Sequence, residues 1–368
     1  MNLEVVRVSE YLSLEFVGLK IEIRLLYQLV STKSAVKRKW IGMVLYRKGK
    51  ISAIFGLMMI ATNQGYREFG DYLRQVFPHY KVQKITLNAG FTCPNRDGLK
   101  GWGGCTYCNN QTFSPAFAMK DRSVSEQLRD GIAFFARKYP HMKYLAYFQA
   151  YTNTYGEQAE IIRKYEEALN YYDVVGIIIG TRPDCMPDSL LSYLKDLSER
   201  VFVLVEYGVE STLDATLRRV NRGHLWSDSM AAIERTAKTG LPIGVHLILG
   251  LPGESREDIL RHADKISALP VTTLKLHQLQ IIRGTAMAKE YAESPSDFHF
   301  YSEEEYIDLC LDFIERLRPD IVLERFVSQS PAELLLMPKW GLKNHEFTHL
   351  IRRRIQERDI RQGRHWKG

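Results

Sequence analysis

The sequence of 368 residues has no apolar run of the roughly 18 residues a helix needs to span a bilayer; its longest, Ile51–Thr62, has 12. No membrane association is therefore expected. Cysteine is scarce: five residues, an odd number, argue against a disulfide scaffold in a chain of this size. Fixed-period repeats and low-complexity tracts are both lacking. With 45% hydrophobic, 25% charged and 11% aromatic residues, the composition excludes disordered and collagen-like proteins. It allows one large or two modest domains with an ample core.

The formal charge of +7 suggests a nucleic-acid partner until it is mapped along the chain. Residues 1–58 carry ten Lys/Arg against four Asp/Glu, residues 339–368 carry nine against three, and the stretch 59–338 is left at −5. Basicity sits at the two ends, and the middle is mildly acidic.

The first 57 residues differ from the rest and form an atypical leader. Arg47–Ala61 has a basic flank, a short apolar core and a small residue, like a signal peptide, but it lies about fifty residues too far in and no clean cleavage site follows. A start assigned too early, with Met58 or Met59 the true beginning, is the bland alternative, and no function is assigned here. The expected organisation is a leader over 1–57, a barrel over 58–300 and a C-terminal extension over 301–368.

From Lys81 onward, β-rich runs alternate with helical ones, the pattern of repeated βα units around a parallel sheet. Strands are expected at Lys84–Leu87, Lys143–Phe148, Val174–Ile179, Val201–Val205, Ile243–Leu249 and Thr273–Leu279. Several are almost wholly apolar, as in strands covered on both faces. Between them, Ser123 and Glu126 have capping-box spacing ahead of Leu128, Ile132 and Phe135. Six such units make an open barrel or a doubly wound sheet, and periodicity does not choose between them. After Thr285 the alternation stops. A helix at Glu303–Leu317, a strand at Ile321–Phe326 and an arginine-rich helix at Phe347–Ile360 should pack on the barrel or extend it.

Cys93, Cys105 and Cys108 follow the first strand as C-x11-C-x2-C, around a loop holding Gly98, Gly101, Gly103 and Gly104. Glycine lets such a loop wrap a compact object. The cluster reads as metal binding in a reducing compartment, hence a cytoplasmic protein. Three thiolates suit a [4Fe–4S] cluster with one iron left open. Structural zinc prefers four ligands; Cys185, Cys310 or a histidine can supply the fourth, so zinc and a metal-free triplet stay open on counting alone.

The aromatic residue inside the C-x2-C pair and the place after the first strand of a βα series resemble the radical S-adenosylmethionine (radical SAM) superfamily. More narrowly, residues 66–347 resemble the YhcC/YtqA-like family, related to the radical domain of the Elongator catalytic subunit. The matching stretches are Leu-Asn-Ala-Gly-Phe-Thr-Cys-Pro-Asn-Arg-Asp-Gly (87–98), Tyr-Phe-Gln-Ala-Tyr-Thr-Asn-Thr-Tyr (147–155), Gly-Thr-Arg-Pro-Asp-Cys (180–185), Tyr-Gly-Val-Glu-Ser (207–211), His-Leu-Ile-Leu-Gly-Leu-Pro-Gly-Glu (246–254) and Met-Pro-Lys-Trp-Gly-Leu (337–342).

The resemblance implies an α/β fold, a partial (β/α)6 TIM-type radical SAM barrel with a C-terminal helical or α+β extension. It implies that Cys93, Cys105 and Cys108 ligate three irons, that the fourth binds SAM, and that one electron from a reductant protein such as flavodoxin or ferredoxin yields a 5′-deoxyadenosyl radical. Tyr107 would lie near the adenine. Glu210 matches a polar SAM contact, Arg222 the partner of the SAM carboxylate, His246 a ribose ligand and Gly250 a close backbone approach to the adenine. A surface ion pair is the plain alternative for Glu210 and Arg222, and a core histidine for His246.

Two departures stand out. Gln149-Ala150-Tyr151 replaces the usual Gly-Gly-Thr-type motif, so Gln149 takes the methionine amino group by position. Gly180 stands where the Elongator-like pattern has Glu; Arg182 and Asp184 either compensate or pair with each other. Cys185 is the candidate catalytic residue, as hydrogen donor or holder of an intermediate, with an idle cysteine as the alternative; Cys310 reads as core. Tyr147, Phe148, Tyr151 and Tyr155 can stack a base or simply pack. The expected function is radical SAM chemistry on tRNA, at the wobble uridine side chain, with the basic helix following phosphates. The alternatives are radical chemistry on a small molecule or protein, and a zinc-stabilised nucleic-acid-binding module.

Overall fold

The computed structural model describes residues 65–112, 114–137 and 141–368, together with the strands Val5–Phe16, Leu19–Thr32, Ala35–Arg47 and Lys50–Phe55. Those four strands form an antiparallel sheet in sequence order, within a unit of residues 1–63. Met58 and Met59 lie outside the described residues.

In the second unit, from residue 64 onward, the six expected strands form at β1 (Val82–Leu87), β2 (Lys143–Phe148), β3 (Val174–Thr181), β4 (Phe202–Glu210), β5 (Ile243–Leu249) and β6 (Thr273–Gln278). They pair in parallel, and β8 (Val322–Arg325) adds a seventh strand beside β6, giving the order β8-β6-β5-β4-β3-β2-β1. A two-stranded antiparallel pair, β7 (Ile281–Ile282) and β9 (Leu335–Met337), lies apart from this sheet. This is the curled half-barrel that the family resemblance implied, where periodicity alone left a doubly wound sheet open. The C-terminal piece extends it: the strand expected at Ile321–Phe326 becomes an edge.

Strand alternation divides the apolar runs between two cores. Tyr144, Ala146 and Phe148 of β2, Ile177 and Ile179 of β3, and Val203 and Val205 of β4 face the helical layer. The residues between them, Leu145, Tyr147, Ile178 and Leu204, join Val322 of β8 and Phe69 and Phe77 in a separate inner cluster. Phe69 opens α1 (Phe69–Val76), so this helix closes one end of the barrel.

The outer layer includes α2 (Val124–Ala136), α3 (Gln158–Leu169), α4 (Asp188–Ser198), α5 (Asp214–Arg219), α6 (Trp226–Ala237) and α7 (Arg256–Ser267). Ser123 and Glu126 form the expected capping box on α2, and Ser255 with Asp258 forms another on α7. After β7 come α8 (Ala286–Glu293), α9 (Glu303–Arg316), packed on α7, and α10 (Asn344–Glu357), packed on α9. Cys310 is fully buried in α9, as its apolar surroundings predicted. Among the described residues no helix is long and apolar enough to cross a membrane.

Candidate active site

The cysteine loop is held by backbone and amide hydrogen bonds rather than by regular structure. Asn95, wholly buried, donates through Nδ2 to the Asn221 carbonyl at 2.5 Å. Asn221 Nδ2 donates to the Gly104 carbonyl at 2.8 Å. Thr106 N–H donates to Val220 at 3.0 Å, and Met287 N–H of α8 donates back to Thr106 at 2.9 Å. The loop after β1 is thereby tied to the turn after α5 and to the start of α8.

This arrangement brings Cys93, Cys105 and Cys108 to one cavity of about 220 Å³ at the C-terminal ends of the strands, where barrel folds carry their chemistry. Tyr107, Gln149, Glu210, Arg222 and His246 line it too. Two expected residues do not. Gly250 lies in a smaller cavity against the Tyr301 ring. Cys185 sits in the turn Pro183–Cys185, outside the cavity lining; burial and the neighbouring Asp184 push its thiol up to about 12, so it is no ready thiolate.

Arg222 is the centre of the cysteine end. Its Nη1 lies 3.5 Å from Cys105 Sγ, Nη2 donates to the Gly208 carbonyl and lies 3.7 Å from Glu210 Oε1. A Cβ on Gly208 would come within 2.6 Å of Glu210 Oε1 and 2.8 Å of Arg222 Nη2, so only glycine leaves room for this pair. Glu210 (φ 69°) and Tyr151 (φ 64°) hold left-handed backbone without being glycine, and both line the cavity. Strain of this kind clusters where function requires it.

Arg182 and Asp184 pair with each other through two 3.0 Å hydrogen bonds. Burial alone would raise the Asp184 carboxyl, but Arg182 and Lys100 hold it well below the usual carboxylate range. Arg182 also donates to the Arg222 carbonyl at 2.7 Å, so the pair buttresses the Arg222 turn. Asn153 ties β2 to β3 through the Phe148 and Gly180 carbonyls, which explains much of the aromatic-Thr-Asn-Thr motif structurally. Phe148 packs edge-on against Tyr165 in the core, whereas Tyr147 and Tyr151 face the cavity.

Beneath the cavity lies a charged layer. Lys275 Nζ is 2.6 Å from Glu206 and 3.1 Å from Glu324; Lys84 Nζ is 3.2 Å from Glu206 and 2.6 Å from Glu324. His246 Nε2 is 3.0 Å from Glu206 Oε2, and Lys275 donates to the Tyr147 hydroxyl at 3.0 Å. Burial opposes ionisation of Glu206, but Lys275, Lys84 and His246 hold it well below the usual range. Sequence reading passed over Glu206, Lys275, His277 and Arg325. For Glu206, Lys275 and His277 the signal was present, as polar residues standing among apolar neighbours of a strand; Arg325, next to Glu324 in a four-residue strand, carried no such signal.

The donor set fits an iron–sulfur cluster and a polar cofactor. Three thiols from one loop share the cavity, and two buried polar atoms beside them, Tyr107 Oη and Arg222 Nε, have no hydrogen-bond partner among the described residues. Burial, with Cys105 alongside, pushes the Cys108 thiol up, so binding a metal there must displace protons. Among the described residues no group of three or more Cys, His, Asp or Glu is gathered tightly enough to hold a single metal ion.

The basic C-terminal helix is occupied by its own chain. Arg352 pairs with Glu68 at 2.7 Å, Arg354 with Glu304 at 2.5 Å, Arg358 with Asp308 at 2.9 Å, Arg353 with Glu357 at 3.5 Å and Arg361 with Asp359 at 3.1 Å.

Comparison with known proteins agrees with this fold. A model of the radical SAM superfamily matches residues 92–266, and one of the Radical_SAM C-terminal domain matches residues 271–357. The uncharacterized protein YtqA of Bacillus subtilis (strain 168) is 34% identical over 303 residues, 82% of this chain and 93% of YtqA. A tRNA uridine(34) acetyltransferase of Methanocaldococcus infernus is 27% identical over 192 residues, 51% of this chain and 34% of that protein. The structure of archaeal M. infernus Elp3 lacking residues 1–46 superposes with a TM-score of 0.60 at 20% identity, covering 77% of this chain and 64% of the other.

Proposed function

Because the chain belongs to the radical SAM superfamily, and within it to the family of YtqA, we propose that its Cys93, Cys105 and Cys108 hold a [4Fe–4S] cluster, that the adjoining cavity binds S-adenosylmethionine, and that the substrate is a tRNA modified at its wobble uridine. The protein is an enzyme, and the observation that carries the finer reading is convergence. Three thiols, an arginine with an unfilled Nε and a tyrosine with an unfilled hydroxyl line one cavity at the strand ends.

When bound, such a cluster would supply the one electron that breaks a carbon–sulfur bond of the SAM sulfonium, releasing methionine and a carbon radical able to remove hydrogen from an unactivated position. The chain's own residues bind and orient. Arg222 offers its unfilled Nε–H to the cofactor carboxylate as a charge-assisted donor. Gln149 and Glu210 offer acceptors for its amino group, His246 a ribose contact and Tyr107 a hydroxyl beside the adenine. The Lys84, Lys275, Glu206 and Glu324 layer seals the floor against solvent. A reductant protein such as flavodoxin or ferredoxin supplies the electron.

The tRNA assignment is supported by the M. infernus relative named as a tRNA uridine(34) acetyltransferase, matched over about a third of its length. A small-molecule or protein substrate is the second reading, favoured by one observation: phosphates following α10 would have to compete with carboxylates already paired to its arginines.

The test is anaerobic purification followed by reduction with SAM. About four irons per chain, loss of colour in air and release of 5′-deoxyadenosine are expected; zinc in place of iron with no nucleoside release overturns the reading. Comparing modified nucleosides in tRNA from cells with and without the protein decides the substrate. An unchanged profile moves it to the second reading.

A further inference from the structure

We propose that Arg325, together with the open Nε2 of His277, forms a subsite in this cavity for an oxyanion of the substrate, a carboxylate or a phosphate. The assignment to substrate rests on the radical reading above; the subsite itself rests on charge and hydrogen bonding.

Arg325 ends β8 and lines the cavity, half-buried, yet its side chain makes no hydrogen bond or ion pair with the described residues. The other arginines of this region are committed: Arg222 to Glu210 and the Gly208 carbonyl, Arg182 to Asp184, Arg96 to the Cys108 carbonyl. The carboxylates near Arg325 are also taken. Glu206 and Glu324 are shared between Lys84 and Lys275, and adding Arg325 leaves one positive charge unmatched in a buried layer. An unmatched charge at a cavity wall is costly unless an anion completes it.

A second unfilled group sits on the same wall. His277 Nδ1 lies 2.7 Å from Ser328 Oγ, whereas its buried Nε2 has no partner among the described residues. Burial, with the charges of His246 and Arg325 nearby, keeps this ring from protonating. In the tautomer where the Ser328 hydroxyl donates to Nδ1, the one an anion would select, Nε2–H is a neutral donor beside the guanidinium.

The wall is rigid. Ser328 N–H donates to Gln278 Oε1 at 2.6 Å, Gln278 Nε2 returns to the Ser328 carbonyl at 3.1 Å, and Ser330 Oγ donates to Gln280 Oε1 at 2.6 Å. The loop after β8 is thereby pinned to the end of β6, preorganised for a ligand. Arg325 stands opposite Lys275 in the β6–β8 register and His277 lies on β6, whereas Arg222 lies beside Cys105 Sγ. The subsite thus belongs to the β6–β8 wall, and the cofactor carboxylate has Arg222 at the cysteine end.

The test uses the full chain under anaerobic conditions, titrated separately with acetate and with inorganic phosphate. Saturation transfer to the acetate methyl and the 31P line width report binding in wild type, Arg325→Gln and, as a control, Arg218→Gln at an exposed position. At least one probe should bind Arg325→Gln about tenfold more weakly, the loss of one charge-assisted pair, with the control unchanged. Preference for acetate assigns a carboxylate and preference for phosphate a phosphoester. If neither probe binds wild type, or Arg325→Gln binds both equally well, the subsite is overturned. Should Arg325→Gln fail to fold by circular dichroism, Arg325→Lys replaces it: weaker binding is still expected because the fork is lost, and unchanged binding overturns the proposal. 5′-Deoxyadenosine release by wild type is measured in parallel. Its absence removes the radical reading while the anion subsite stands or falls on the NMR alone.

Discussion

Lys84 of β1 and Glu324 of β8 meet at 2.6 Å although they belong to the two opposite edges of the seven-stranded sheet. Their contact, with a bridge between Glu68 and Leu323, draws the edges together under the cavity. Lys84 Nζ also lies 4.2 Å from the Phe69 ring centroid, so the ion pair and the α1 plug form one floor. A half-barrel thus acquires a closed base without a full ring of strands.

Breaking that floor should be costly. Lys84→Met leaves Glu206 and Glu324 short of a partner in a site where Glu206 is 1% exposed. Removing one member of a buried pair typically costs about 3–5 kcal/mol. Urea denaturation of the full chain measures it; a loss below about 1 kcal/mol, as for a surface pair, would mean water reaches the layer.

The three cysteines should act as one ligand set. Cys93→Ala, Cys105→Ala and Cys108→Ala are each expected to abolish iron binding, and Cys185→Ala to leave it intact, because Cys185 does not line the cavity. Iron content of the four purified variants decides this. Loss of iron in the Cys185 variant would show that the ligand set is wrong.

Gly208→Ala tests the Arg222–Glu210 pair without touching either residue. The added methyl must push Glu210 Oε1 and Arg222 Nη2 aside. Circular dichroism should stay native, because the displaced atoms are side-chain ends. SAM affinity, read by equilibrium dialysis, should fall about tenfold, the equivalent of one charge-assisted hydrogen bond. Unchanged affinity would remove Arg222 from the cofactor site.

One lysine should titrate early. Burial pushes the Lys275 ammonium down to about 8, against the pull of Glu206 and Glu324. An unfolded lysine titrates near about 10.4, so between these values the unfolded chain binds more protons. The stability contributed by Lys275 is therefore present above the unfolded value and lost as pH falls through about 8. With 13C at lysine Cε, one resonance should move near pH 8 and be missing in Lys275→Met; uniform titration near about 10.4 would contradict the burial.

Much of this was legible in one dimension. Fully apolar, β-branched runs such as Val174–Ile179 are the mark of strands covered on both faces, and Ser123 with Glu126 marks a helix start because a side-chain oxygen and a backbone N–H must meet three residues apart. The cysteine triplet was equally plain, since its three thiols lie on one short loop. Local chemistry at fixed spacing determined these features. The tertiary structure decided what depends on residues far apart in the chain: that Val322–Arg325 joins the barrel, that Lys84 finds Glu324, that Arg352 and Arg354 of α10 are spent on Glu68 and Glu304, and that Arg325 has no side-chain partner among the described residues. Whether a charge is satisfied depends on which distant carboxylate the fold brings within reach, and spacing along a chain carries no record of that.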